Sequence, residues 1–267
     1  MWVTLRWFAS PDFAALKVIP DKSGFRATKR KFFSEYAGFL MKHSDSTCWT
    51  IIEAAAVGGS EASDHFAQRY GPTIRAYLTA RWKNSAFLTN VDDAIQDVFI
   101  ECFKQGGLLS KADRERGTGF RTFLFAATRN VALRFESRQA RDYAQQPAGE
   151  TELAQVEKHE ADLSVIFDRA WAKSLLKEAA DRQKQQAQEK GEKAIRRIEL
   201  LRLRFEEGLP IREIAQKWQC NAAVLHHEYA RARQEYKEAL LEVVAFHHPG
   251  TEEEIQQECI NILKYLG

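Results

Sequence analysis

The spacing of the apolar residues is the feature that most constrains the fold of this chain. Over long stretches they recur every three or four residues, which places them on one face of an α-helix, whereas the alternation typical of a half-buried strand is hard to find. Glycine (14) and proline (6), which interrupt helices, are scarce among the 267 residues. The sequence therefore predicts an all-α fold, with two small helical domains joined by a flexible linker.

Composition and charge exclude several classes of protein. With 45% hydrophobic and 28% charged residues, the chain has the composition of a globular protein and not of a disordered one. The net charge is only +2, so a nucleic-acid surface must come from local segregation of charge. Without a secretion signal or a long apolar run, the sequence predicts a cytoplasmic protein with no membrane partner.

Motifs for metal binding and catalysis are missing from the sequence. The four cysteines lie far apart without a Cys-x-x-Cys pair, which excludes a zinc ribbon and a dense disulfide framework. We find no Ser/His/Asp grouping and no glycine loop that could cradle a phosphate. The prediction is a protein that is not an enzyme, with no catalytic residue, metal, cofactor or small-molecule substrate.

The predicted domains follow changes in pattern along the chain. Methionine occurs only at positions 1 and 41, and regular helical spacing begins after the second. We expect Met41 to be the physiological start, with the first forty residues a gene-model artefact or a disordered arm; a genuine extra helix is the alternative. The segments are 1–40, a helical domain at 41–141 with breaks at Gly71-Pro72, 85–90 and 106–119, a linker at 142–166, a helix-turn-helix domain at 167–246 with a break expected at Gly191, and an amphipathic tail at 247–267.

Residues 90–107 have the pattern of one amphipathic helix. Asn90 is a good N-cap, and the acidic residues after it suit the positive end of the helix dipole. Opposite the predicted buried stripe lies an acidic, amide-bearing face with one aliphatic side chain, which suits a basic helical partner. A solvated polar face explains the same spacing. The residues of this face are Asp93, Gln96, Asp97 and Ile100.

Basic residues are concentrated between positions 114 and 141, where only Glu115 and Glu136 are acidic. Guanidinium groups suit phosphates, and aromatic rings among them suit unstacked bases of locally melted nucleic acid. Phe120 and Phe123 fit the buried stripe, whereas Phe125 and Phe135 fall off it and are candidates for base stacking. The candidate arginines are Arg116, Arg121, Arg129, Arg134 and Arg138.

Residues 208–236 have the proportions of a helix-turn-helix. Pro210 suits a first helical turn, and Asn221 suits the N-cap of the second helix after a short turn. Early residues of the second helix would enter the major groove, and later arginines would reach phosphates. A plain helical hairpin is the alternative. The candidate DNA contacts are Asn221, Ala222, His226, His227, Glu228, Arg231 and Arg233.

Taken in order, these motifs resemble the extracytoplasmic-function group of bacterial RNA polymerase sigma factors. The run DAIQDVF at 93–99 is similar to the family's polymerase-docking helix. The run RGTGFRTFL at 116–124 with ATRN at 127–130 is similar to its promoter-melting segment, which adds Asn130 to the candidate contacts. The run GLPIREIA at 208–215 is similar to its upstream-element helix-turn-helix. The resemblance covers about residues 48–244.

The resemblance implies core RNA polymerase and promoter DNA as partners, with an anti-sigma factor as a family expectation. Five positions depart from the family pattern. Arg134 and Glu136 stand where aspartate and leucine are usual, and His226-His227 and Glu228 stand where small or basic residues are usual. A glutamate repels phosphate but can accept a hydrogen bond from cytosine, so the base preference stays open.

Two other functions fit the residues less fully. One is a stand-alone transcriptional regulator that uses only the helix-turn-helix, and the other is a helical adaptor without a DNA role. In the tail, Thr251 and Glu254 form a capping box ahead of an apolar stripe, which predicts an amphipathic helix. That helix is either a regulatory element or packs on the rest of the chain.

Overall fold

The computed structural model describes residues 60–103, 119–144 and 160–266, together with Ala54. All regular structure in these residues is helical, which confirms the predicted all-α class. Predictions for residues 1–40, for Arg116 and for the middle of the linker fall outside the described residues. The helices are α1 (Ser60–Arg81), a 3-10 helix (Ala86–Asn90), α2 (Val91–Phe103), α3 (Gly119–Ala144), α4 (Glu160–Lys190), α5 (Glu192–Phe205), α6 (Ile211–Lys217), α7 (Ala222–His247) and α8 (Glu252–Lys264).

The described residues divide into two compact units at the boundary between Ser174 and Leu175. We call residues 60–174 the amino-terminal unit and residues 175–266 the carboxyl-terminal unit. The boundary lies inside α4, so the first half of this helix belongs to one unit and the second half to the other. In the described part of the chain, no helix is long and apolar enough to span a membrane.

Helix α1 runs through Gly71-Pro72, where the sequence predicted a break; that prediction is wrong. A proline inside a helix costs about 3 kcal/mol because its ring meets the carbonyl of the preceding turn. Here the buried side chains Tyr70 and Ile74 anchor the helix on both sides of Pro72, which is itself exposed. Burial of two large side chains is enough to offset that cost.

The amino-terminal unit has a core rich in aromatic residues, and α4 contributes to it. The rings of Trp171 and Tyr70 stack with centroids 5.7 Å apart, and the ring of Phe167 meets that of Tyr77 edge-on at 6.3 Å.

The predicted linker at 142–166 is helical at both ends, as α3 continues to Ala144 and α4 begins at Glu160. Helix α4 starts before the predicted end of the linker at 166, because its apolar residues lie on one buried face only when this segment is helical.

The carboxyl-terminal unit is built around α7. The break predicted at Gly191 is confirmed, and α5 follows it directly. The second helix of the predicted helix-turn-helix is α7, which has 26 residues and extends beyond position 236. Its buried stripe continues past Tyr236 through Leu240 and Val244, and this stripe keeps the chain helical.

Helix α8 has the predicted capping box. The Thr251 hydroxyl accepts from the Glu254 backbone N–H at 3.4 Å, and the Glu254 carboxylate accepts from the Thr251 backbone N–H at 2.7 Å. Ile255, Cys259 and Ile262 are buried, and the helix packs on α7. In this structure the tail therefore packs on the chain itself.

Candidate nucleic-acid interface and docking surface

The predicted polar face of α2 lies on the surface of the amino-terminal unit. Asp93 and Gln96 are exposed, and Ile100 is 59% exposed although it is aliphatic. The opposite side of the helix is buried through Ala94 and Val98, as the spacing predicted. Asn90, predicted to cap α2, is the last residue of the 3-10 helix that leads into it.

Asp97, the fourth member of that face, pairs with an arginine of α3. Its Oδ2 lies 3.3 Å from Arg138 Nη2, and one turn further along α2 the Glu101 Oε2 lies 3.1 Å from Arg134 Nη2. We call these two pairs the α2–α3 ladder. Both arginines remain about half exposed, so the ladder brings the acidic face and two candidate DNA arginines together on one surface. Glu101 was not among the predicted residues, although its position four residues after Asp97 indicates that it lies on the same side of α2.

The other described candidate residues of α3 differ in how far their side chains are exposed. Arg121 forms an ion pair with Asp168 of α4, and both side chains are largely covered. Arg129 is half-buried, whereas Asn130 is exposed. Arg121 therefore contributes to packing between helices, and Asn130 is the more accessible of these candidates.

The two candidate rings for base stacking lie deeper than predicted. Phe125 meets Tyr77 edge-on at 5.6 Å and Phe167 at 5.2 Å between centroids. Phe135 packs beside Trp82 at 5.3 Å and Phe87 at 6.2 Å. Both rings are half-buried, because α1, α4 and the 3-10 helix cover more of α3 than its own apolar stripe indicates.

Glu136, a departure from the resembled family, is buried in the amino-terminal unit. Its carboxylate accepts from Arg81 Nε at 2.7 Å and Nη2 at 3.0 Å, and from the Trp82 indole N–H at 2.6 Å. Arg81 and Glu136 are 1% and 3% exposed at their side chains. Three strong donors satisfy this carboxylate, so Glu136 joins α3 to α1 in the interior of the unit.

Helices α6 and α7 are joined by a tight turn. Gln219 has a positive φ of 51°, and the Asn221 side chain accepts from the Ala223 backbone N–H at 2.7 Å, as the predicted N-cap requires. Both helices pack with α5 around a small apolar core. The core residues are Leu200, Leu203, Ile211, Ile214, Ala215, Leu225 and Tyr229.

The outer face of α7 carries the candidate DNA contacts. Asn221, His226, His227 and Arg231 are exposed, whereas Ala222, Glu228 and Arg233 are partly covered. The Arg233 guanidinium lies 5.3 Å from the centroid of the Tyr229 ring, a cation–π contact. Val224, which the sequence analysis did not select, is 58% exposed on the first turn of this face.

Arg197 of α5 lies behind this face and was missed by the sequence analysis. It is 5% exposed and donates to two carboxylates of α7, those of Glu228 and Glu235. The hydrogen bonds to Glu235 raise the pKa of Arg197, since they favour its charged form. One signal was present in the sequence, because Arg197 falls on the stripe that Ala194 and Leu200 bury.

Neither the protein-family models nor the curated proteins give a match to the sequence. In its described residues, this is a helical protein with one polar surface on each of its two units. The amino-terminal unit has an acidic face beside a row of arginines, and the carboxyl-terminal unit has an exposed helix with histidines and arginines.

Proposed function

We propose that this protein is a sigma factor of the extracytoplasmic-function type. It would bind core RNA polymerase, recognise promoter DNA and help to melt it at the start of transcription. The observation that carries the proposal is the α2–α3 ladder, which joins an exposed acidic face to accessible arginines on one surface of one small unit. In this function the protein supplies binding, while the polymerase supplies the chemistry.

The acidic face of α2 suits a basic helix of the polymerase. Asp93, Gln96 and Asp97 offer two carboxylates and an amide, and the exposed Ile100 adds an apolar contact at one end. Complementary charge speeds encounter and fixes orientation more than it adds affinity. Docking would therefore depend on the sign of the charge at this face.

The energetics of melting explain why docking and DNA contacts belong together. Opening about ten base-pair steps costs ~14 kcal/mol, whereas stacking one base on an aromatic ring returns only ~1 to 3 kcal/mol. With Phe125 and Phe135 half-buried, the amino-terminal unit offers few rings for stacking. The protein could trap bases of an opened strand only while polymerase contacts supply the remaining free energy.

The outer face of α7 suits duplex DNA. His226 and His227 lie one turn into the helix, where a recognition helix meets base edges, and Arg231 lies where phosphates are within reach. The promoter element in the duplex would be read here.

The docking surface is tested by reversing one charge. Asp97→Lys should abolish co-purification with core polymerase and leave the far-ultraviolet circular dichroism unchanged, because the side chain is partly exposed. Asp181→Lys is the matched control, since this exposed carboxylate also pairs with a basic residue, Lys177, at 2.8 Å. Equal co-purification of Asp97→Lys and wild type would contradict the proposal.

The activity is tested by run-off transcription. Purified protein and core polymerase from the source organism are given fragmented genomic DNA, and the RNA ends are sequenced. Discrete starts that depend on the added protein are expected. Tight binding to duplex DNA without any start would favour a stand-alone helix-turn-helix regulator. If neutralising Arg129, Arg231 and Arg233 left nucleic-acid binding unaltered, a helical adaptor would be the better account.

A further inference from the structure

Arg197 forms a buried, charged connection between α5 and the outer face of α7. Its Nε donates to Glu235 Oε2 at 2.8 Å and its Nη2 to Glu235 Oε1 at 2.7 Å, a bidentate pair. Its Nη1 donates to Glu228 Oε2 at 3.1 Å. The guanidinium therefore uses a separate nitrogen for Glu228, the one candidate DNA contact that is acidic.

Burial makes the loss of this contact more costly than the loss of an ordinary surface ion pair. The Arg197 side chain is 6% exposed, and a buried cation needs hydrogen-bonded carboxylates around it. The Glu228 side chain is 41% exposed, so it lies at the edge of the outer face of α7. If Glu228 turned outward, Arg197 would lose one of its two carboxylates, and this cost holds Glu228 in place.

We propose that Arg197 is a positioning residue of the DNA-reading surface, which holds the Glu228 carboxylate back from phosphates and base edges. This inference rests on the proposed function. It removes the cytosine-reading role that an exposed glutamate could have had. Base edges would then meet His226, His227 and the exposed Val224. Arg231, whose Nε lies 3.6 Å from Glu235 Oε1, would reach a phosphate without repulsion from the Glu228 carboxylate.

The variant Arg197→Lys should keep the contact with the Glu235 carboxylate and lose the contact with the Glu228 carboxylate. A lysine is a point charge without the guanidinium fork, and Glu235, which receives two of the three hydrogen bonds, would retain it. Glu228 would be released to the surface, where it repels phosphate. Glu228→Gln removes that charge, and its amide oxygen can still accept from Arg197.

The experiment measures promoter binding by the full-length protein in complex with core polymerase, with a random-sequence duplex library as the probe. Arg197→Lys should weaken binding about tenfold, because the released Glu228 carboxylate repels the nearby phosphates. The double variant Arg197→Lys/Glu228→Gln should return to within about threefold of wild type, because the released charge is gone. A loss of structure alone would not be rescued in this way.

Two controls make the result specific. Arg202→Lys changes an arginine of the same helix whose partners, Glu199 and Glu207, are not residues of α7, and this variant should bind like wild type. Glu228→Gln alone should select the same sequences as wild type. The sequence preference of Glu228→Gln tests the inference even if Arg197→Lys fails to fold. Circular dichroism would reveal such a failure.

The contrary outcomes are distinct. Arg197→Lys with wild-type binding, or a double variant without rescue, would overturn the inference and leave the proposed function in place. A Glu228→Gln variant that loses its preference for cytosine at one position would do the same, because Glu228 would then be a base reader. If the wild-type complex selects no sequence at all, the proposed function fails together with the inference.

Discussion

At the scale of the residue, this protein places charges in its interior where apolar side chains would be expected. Arg81 with Glu136 lies in the amino-terminal unit, and Arg197 with Glu235 lies in the carboxyl-terminal unit. Each pair joins two helices. A buried pair contributes little net stability against a well-packed apolar alternative, but loss of one partner is costly because the other charge stays buried.

Glu136→Leu should therefore destabilise the protein by about 3–5 kcal/mol, because Arg81 loses its carboxylate. The double variant Arg81→Met/Glu136→Leu should recover much of that loss, and urea denaturation measures both. Asp92→Asn is the matched control, since it breaks an exposed pair with Arg75 and should cost less than about 1 kcal/mol. A cost for Glu136→Leu as small as the control would show that the buried pair is not needed.

At the scale of the element, two helix ends determine local stability. Gly191 separates α4 from α5 with φ 89° and ψ −170°, a region that residues other than glycine rarely adopt. A Cβ at Gly191 would meet no atom within 4 Å, so only the backbone conformation requires glycine there. The capping box at Thr251 likewise begins α8 through hydrogen bonds within one helical turn.

Gly191→Ala should lower the free energy of unfolding by about 1–3 kcal/mol, because alanine is strained in this conformation. The shift in urea midpoint measures it. Gly208→Asn is the comparison, since asparagine tolerates a positive φ such as the 70° of Gly208 better than other residues do, and should cost less. Equal midpoints for wild type and Gly191→Ala would mean that the break between α4 and α5 relaxes freely.

Thr251→Ala should loosen α8 and expose Cys259. Burial raises the pKa of Cys259 to about 12, so this thiol reacts only when the helix opens. Loss of the cap costs about 0.5–2 kcal/mol, which makes iodoacetamide labelling of Cys259 about 2- to 30-fold faster. Peptide mapping by mass spectrometry measures the rate at pH 7.5.

Cys102 is the internal control for this labelling, because burial raises its pKa to about 12 in the other unit and Thr251→Ala should not change its rate. The capping box is intact at the labelling pH. The Thr251 backbone N–H holds the pKa of Glu254 below its ordinary value of 4.5, so the stability that the ionised carboxylate contributes is complete above pH 4.5 and is lost as the pH falls through the lowered pKa. Unchanged labelling of Cys259 would show that packing alone holds α8.

At the scale of the whole molecule, the division at Ser174 and Leu175 predicts two units with their own stabilities. Leu124 is fully buried in the amino-terminal unit, and Leu200 is 1% exposed in the carboxyl-terminal unit. Each unit has its own apolar core, so damage to one should leave most amide protection of the other.

Leu124→Ala should cost about 2–5 kcal/mol and lower hydrogen-exchange protection in α1–α3 and the first half of α4. Leu200→Ala should instead lower protection in α5–α7. Each variant serves as the control for the other. Loss of protection throughout the described helices in both variants would mean that the units unfold as one.

The local signals in the sequence determined much of this protein. The all-α class, the end of α4 at Gly191, the N-cap at Asn221, the capping box at Thr251 and the exposed face of α2 all follow from residue types at helical spacing, because capping and amphipathicity depend on neighbours within one or two turns. These features could be predicted without any knowledge of packing.

Contacts between distant helices were decided only by the tertiary structure. Helix α1 continues through Pro72 because the side chains of Tyr70 and Ile74 on either side are buried. Phe125 and Phe135 are half-buried because rings far along the chain cover them. Arg197 reaches Glu228 across 31 positions, and Asp97 reaches Arg138 across 41, so spacing within either helix could not indicate these pairs. Helical periodicity shows which face a residue occupies, but which charge lies opposite depends on how the helices pack.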